Sequence, residues 1–221
     1  MIKTEIYNPE SFAEEAARRI LVALPSQGNV VITGGTTAER VYPVLGETDH
    51  DWAGVEVLFS DERCVPPDHP ASNFAMARRL LFEPAGISMV HRMRGELPPN
   101  EGARRYHDEI APSVSDGLDL ILLGMGADAH IAANYPGSDS LTDAAYCTAV
   151  ERPDGMAGLT LTPLALLSGA RVLLIVTGEG KAEAVRRVVQ GAEPAETCPA
   201  RLLADHPDVT MLLDAPAARF V

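Results

Sequence analysis

The sequence predicts an α/β fold, a doubly wound and mostly parallel sheet with helices on both faces. Short runs such as Leu118–Leu123 (LDLILL) and Arg171–Thr177 (RVLLIVT) are almost wholly apolar. A strand with so little polar character suits a sheet buried on both sides. These runs alternate with segments of helical spacing, the order of a β-α-β chain. Glycines and charged residues gather just after the apolar runs, and in open α/β sheets ligands bind at the carboxyl ends of strands.

Taken in order, Ser11 to Leu24 places alanines and apolar residues at helical spacing, with Ser11 as N-cap and Glu14 three residues on. Asn29–Thr33 (NVVIT) reads as a strand and Thr37–Leu45 as a helix. Val55–Ser60 (VEVLFS) is a second strand. Ala71–Leu81 and Glu101–Ile110 are helical. Leu118–Leu123 is a third strand and Arg171–Thr177 a fourth. Lys181–Val189 is helical, and Val209–Leu213 (VTMLL) is a last strand. Pro98-Pro99-Asn100 and Arg152-Pro153-Asp154-Gly155 read as loops, neither with the character of a linker. With no internal repeat or low-complexity segment, residues 1–221 read as one domain.

Composition narrows the function classes. The 221 residues are 46% hydrophobic and 22% charged, ordinary for a globular protein. A formal net charge of −13 argues against nucleic acid or an anionic membrane as partner. Cys64, Cys147 and Cys198 are far apart, have no metal-ligand spacing and read as reduced thiols. The opening MIKTEIYNPE has no apolar signal core, and no stretch approaches the ~18 apolar residues of a membrane helix, so a cytoplasmic location is expected. An aromatic content of 5% offers no stacking platform for a base or cofactor.

Four groups of residues carry chemistry. Gly34-Gly35-Thr36-Thr37 joins a strand to a helix; two glycines there let backbone N–H groups approach an anion, and two hydroxyls add donors. It is neither a Walker A loop nor GxGxxG, and an ordinary tight turn would use the same glycines. Asp61, Glu62 and Arg63 follow the second strand, placed for a ligand or for a solvated salt bridge. Ser72-Asn73 reads equally as a helix N-cap. Asp128-x-His130 follows the third strand. An imidazole can take a proton from water at neutral pH, and a carboxylate can orient it; a packing histidine is the competing reading. Lys181 begins a helix beside Gly178 and Gly180, placed for a phosphate or simply exposed. In a parallel sheet all four would converge on one crevice.

The order of these blocks carries a resemblance. GGTT, then W-x-x-V-x-V-x-x-S-DER-C-V-P-x-x-H-x-x-SN, then LDLILLGMGADAH with YPG, then LTLTPLALLSGARVLLIVTGEGKAEAV resembles the 6-phosphogluconolactonase family. That family lies within a wider sugar-phosphate isomerase and deaminase superfamily. The resemblance spans essentially the whole chain. It implies a three-layer α/β/α, Rossmann-like fold and metal-independent, cofactor-free hydrolysis of 6-phospho-glucono-1,5-lactone in the pentose phosphate pathway. It assigns His130 as general base, Asp128 as its support, and Asp61 and Asn73 as positioning groups. The phosphate falls to Gly34, Gly35, Thr36 and Thr37 with Lys181 and Arg63. The partner is then a small phosphosugar lactone and the protein a monomer or homodimer. Where the family pattern reads GMGxDGHTASLFPG, this chain has Ala129, Ile131, Ala133, Asn134 and Tyr135. Gly158 stands where the family tends to carry arginine, with Arg152 in the same loop. A phosphosugar isomerase or deaminase and a non-catalytic phosphosugar-binding relative are the alternative readings.

Overall fold

The computed structural model describes residues 2–221. In chain order the elements are β1 (Lys3–Tyr7), α1 (Phe12–Ala23), β2 (Gly28–Ile32), α2 (Thr36–Gly46), β3 (Val55–Phe59), β4 (Asp61–Arg63), α3 (Asn73–Ala77), α4 (Glu83–Ala85), β5 (Val90–His91) and α5 (Pro99–Asp116). There follow β6 (Leu118–Leu123), β7 (Cys147–Glu151), β8 (Ala157–Leu161), α6 (Pro163–Leu166), β9 (Gly169–Val176), α7 (Ala182–Gln190) and β10 (Val209–Asp214).

Seven strands form one sheet in the order β1-β10-β9-β6-β2-β3-β5, and every neighbouring pair is parallel. The apolar runs sit inside it. All six residues of β10 and five of the six in β6 are buried, so both faces are covered by packing. After β2 the strands step outward through β3 to β5. From β6 they step the other way, through β9 to β10. The order therefore reverses between β2 and β6, and a crevice opens at their carboxyl ends. The four chemically marked turns follow β9, β6, β2 and β3, which are adjacent in that order.

The structure adds a second sheet, antiparallel and three-stranded, in the order β4-β8-β7. Its strands are short and of mixed burial, so no period-2 pattern marks them. Ser60 couples the two sheets. Its amide donates to Ile32 O at 2.8 Å, and its carbonyl accepts the Leu161 amide at 2.8 Å. Helix α5 packs on β7 and β8, while α1 packs on α2, β9 and β10.

Several expectations need correction. The Ser11 side chain makes no cap bond, because its backbone (φ −102°, ψ 5°) is not extended as a cap requires. The helix expected over Ala71–Leu81 is α3 alone, starting at Asn73, followed by a π-helical turn over Arg78–Phe82 and then α4. Pro84 has no N–H to give Leu80, so an α ladder cannot continue there. Pro99 and Asn100, read as loop, open α5, which runs six residues past the expected end at Ile110. A proline at N1 loses no bond. Lys181 ends a 3₁₀ turn just before α7 rather than lying inside the helix. The edge strand β1 was not expected, since Lys3–Tyr7 is too polar and exposed to show a buried face.

Candidate active site

The turn after β6 folds back tightly. Gly126 N donates to His130 O at 2.9 Å, and Ala129 N donates to Gly126 O at 3.1 Å. This brings His130 Nδ1 to 2.6 Å from Asp128 Oδ1, which also accepts the His130 amide at 3.2 Å. Gly126 has to lack a side chain: a Cβ there would stand 2.1 Å from His130 Nδ1. Burial raises the Asp128 carboxyl, but hydrogen bonding to His130 and the charge of its ring outweigh this and bring it down to about 2. The carboxylate is thus ionised at neutral pH. Tyr135 packs its ring on His130, centroids 4.6 Å apart.

The residues that depart from the family pattern are accounted for by their places. Ala129 has φ +67° and Ala132 φ +51°, so the turn uses the left-handed region twice without glycine. Ile131 lies in the main core, and Ala133 packs with Tyr135 and Val150. Neither lines the crevice. Asn134 is fully buried and donates to Leu161 O at 2.9 Å, while Ala133 N donates to Thr160 Oγ1 at 3.0 Å. These bonds tie the segment after His130 to β8.

At the tip of β2, Gly35 has φ +91° and caps α2 with no side-chain bond. The first amides of α2, at Thr36 and Thr37, are left unbonded by any cap. Thr37 Oγ1 lies 2.9 Å from Thr177 Oγ1 at the tip of β9. Gly34 is needed for another reason: its missing Cβ would lie 1.9 Å from Asn73 Oδ1. At the tip of β3, Asp61 is 6% exposed and Asn73 1%. Asn73 Nδ2 donates to Asp61 O at 2.8 Å and Asp61 Oδ2 at 3.2 Å, and Arg63 Nη1 donates to Asn73 Oδ1. Arg63 Nε is buried with no partner among the described residues. At the tip of β9, both Asp214 oxygens accept the Gly178 amide, at 2.9 and 3.0 Å, fixing the turn that carries Lys181. Burial lowers the Lys181 ammonium, against the attraction of Asp128. Lys181 has no ion pair among the described residues.

These turns meet in a cavity of about 160 Å³. Of the residues singled out in the sequence, Gly34, Gly35, Thr36, Thr37, Asp61, Arg63, His130 and Lys181 line it. Asp128 stands behind His130. Asn73 stands behind Asp61 and Arg63 and faces an adjoining hollow of about 570 Å³. A larger hollow, about 650 Å³ at the β5 edge, contains none of them. Arg152, from the β7–β8 turn, also lines the small cavity. Its Nη1 is 3.9 Å from Asp61 Oδ2, and its side chain is 10% exposed. It lies over Gly158, where a Cβ would come 3.0 Å from Arg152 Cδ. Three cations, Arg63, Arg152 and Lys181, thus share one pocket in a chain of net charge −13.

A family model described as glucosamine-6-phosphate isomerases/6-phosphogluconolactonase matches residues 8–212. The chain belongs to this family. It is 29% identical to the 6-phosphogluconolactonase of Aggregatibacter actinomycetemcomitans over 96% of this chain and 94% of that one. It is 32% identical to the 6-phosphogluconolactonase of Synechocystis over 89% and 85% of the two chains. The crystal structure of a 6-phosphogluconolactonase from Thermotoga maritima superposes with a TM-score of 0.86 at 25% identity, covering 97% of this chain and all of that one. Membership of the glucosamine-6-phosphate isomerase/6-phosphogluconolactonase family fits the cleft described above, where the Asp-Glu-Arg and Gly-Met-Gly blocks stand at the tips of β3 and β6, on either side of β2.

The sequence did not announce the parts that hold this site together. Tyr42 OH donates to Thr33 O at 2.6 Å and accepts the Thr33 amide at 3.1 Å, pinning the tip of β2. Tyr106 OH accepts the Phe59 amide at 2.8 Å, pinning the tip of β3. Asp214 and Thr177 hydrogen-bond from other elements in the same way, and Tyr135 packs on the His130 ring from within the same segment. For Tyr106, Asp214 and Thr177 the partner lies in an element distant in sequence, so no local signature marks them.

Proposed function

We propose that this protein hydrolyses 6-phospho-D-glucono-1,5-lactone to 6-phosphogluconate, a step of the pentose phosphate pathway. The observation that carries the reading is the meeting, in one small cavity, of an Asp-supported histidine with an anion cradle built from the α2 N-terminus, Lys181 and Arg63. Its family, with 6-phosphogluconolactonases among the relatives, supports the same substrate.

In this reading Asp128 holds the Nδ1–H of His130, which leaves Nε2 to accept a proton. A water gives its proton to Nε2 as its oxygen bonds to the lactone carbonyl carbon. The carbonyl electrons move onto oxygen, where Arg152 and neighbouring backbone N–H groups stabilise the charge. Collapse breaks the bond to the ring oxygen, which takes the proton back from His130. Asp61 orients sugar hydroxyls. Asn73 is buried with both ends bonded, so its part is to set Asp61 and Arg63. The phosphate rests on Gly34, Gly35, Thr36 and Thr37 with Lys181 and Arg63. No metal or cofactor is called for. The reading includes a cytoplasmic monomer or homodimer that binds no nucleic acid, in keeping with its acidic charge. No helix among the described residues is long and apolar enough to cross a membrane.

General-base catalysis contributes about 10²–10⁴-fold, so His130→Ala lowers kcat by about that factor. Freshly made lactone is the substrate, with spontaneous hydrolysis subtracted. A variant with full activity overturns the mechanism. Turnover of glucosamine 6-phosphate or fructose 6-phosphate in place of the lactone would favour a deaminase or isomerase.

A further inference from the structure

Glu62 does not line the cavity and is 2% exposed, yet its carboxylate is fully engaged. One oxygen accepts the backbone amides of Arg63 and Asn73, at 2.8 and 2.7 Å. The other accepts the Ser72 hydroxyl and the Phe74 amide, each at 2.8 Å. Ser72 Oγ in turn accepts the Ala75 amide at 3.1 Å, capping α3. Burial pushes the Glu62 carboxyl up, and the four donors oppose it. Charge-assisted bonds of this kind are stronger than neutral ones.

The two segments so joined are the end of β4 and the start of α3. Between them they carry Arg63, Asp61 and Asn73. Asn73 is also wedged from the far side by the Gly34 turn, where even a methyl group would clash. Its amide bridges Asp61 and Arg63, so a shift of Asn73 moves both. We infer that Glu62 is a positioning residue, which sets Asn73 and through it the Asp61 carboxylate and Arg63 guanidinium that face a bound phosphosugar. The inference rests on the phosphosugar reading of the cavity.

If the carboxylate merely stapled the fold, its loss would lower the melting temperature without coupling to Asn73 in substrate binding. The test is a double-mutant cycle on KM and kcat for the lactone and on Kd for 6-phosphogluconate. Glu62→Gln keeps the shape but turns one acceptor oxygen into an NH₂ facing donors. It raises KM and Kd about 10-fold with a smaller change in kcat, and in an Asn73→Ala background it changes them less than about 2-fold. Equal factors in both backgrounds, or no change in KM and Kd with Glu62→Gln, overturn the inference. Ser72→Ala, which removes one donor and leaves the carboxylate, gives a second cycle should Glu62→Gln fail to fold. A wild-type protein that binds 6-phosphogluconate without hydrolysing the lactone overturns the lactonase reading instead, and the cycle is then read in Kd. Hydrogen exchange at the Arg63 and Phe74 amides reports the clamp without ligand. Lost protection with unaltered 6-phosphogluconate binding also overturns the inference.

Discussion

Asp128 and His130 form a pair whose carboxylate titrates far below its ordinary value, about 2 against 3.8. A depressed carboxyl contributes stability that is complete above its unfolded value and is lost as pH falls through the folded one. Unfolding free energy measured by urea between pH 5 and pH 2 therefore falls through that window. In Asp128→Asn the part belonging to this pair is absent. A wild-type and a variant with the same pH dependence would show that the pair contributes nothing. Ala129 offers a second test. At φ +67° a side chain strains the backbone, and glycine relieves it. Ala129→Gly stabilises by about 1 kcal/mol, a rise in melting temperature of about 2–4 °C for a chain of this size. A lower melting temperature would mean that the packed methyl outweighs the backbone. At this scale most of the candidate residues were readable from the sequence because they follow an apolar run, Asn73 being the exception. Arg152 was readable only as one option, since nothing local shows that it lies over Gly158.

At the scale of elements, the small sheet supports the segment after His130. Thr160 Oγ1, fully buried on β8, accepts the Ala133 amide at 3.0 Å and donates to Leu161 O at 3.1 Å. Valine keeps the shape and removes the acceptor, leaving a buried amide unpaired. Thr160→Val costs about 1–3 kcal/mol in urea unfolding with m unchanged. A variant of wild-type stability would show that the Ala133 amide finds another partner. The large parallel strands were legible in the sequence because burial on both faces demands continuous apolar residues. β4, β7 and β8 were not, because the pairing Arg63↔Gly158 joins segments about a hundred residues apart and leaves no pattern in either.

For the whole molecule, β10 is an interior strand made late in the chain, lying between β1 and β9. Lys3 pairs with Thr210, and Val209 with Val172. These pairings are long-range, and the sheet lacks an interior strand until the last of them forms. A chain ending at residue 205 would expose the edges of β1 and β9 together. It shows no cooperative thermal transition by circular dichroism; a sharp transition would mean that the remaining sheet folds on its own.

By itself the sequence determined the strand-and-helix alternation, the four chemically marked turns and the resemblance to a lactonase family, because apolar runs, glycine turns and motif order are local properties. Tertiary structure decided the strand order, and with it that the four turns lie side by side across the point where that order reverses. It also decided which residues reach the cavity and which stand behind them. Asn73 went from a group aimed at substrate to a buried bridge between Asp61 and Arg63, held by Glu62. Hydrogen-bonding capacity can be read from a residue type, but whether that capacity is spent on ligand or on protein depends on neighbours that only the fold supplies.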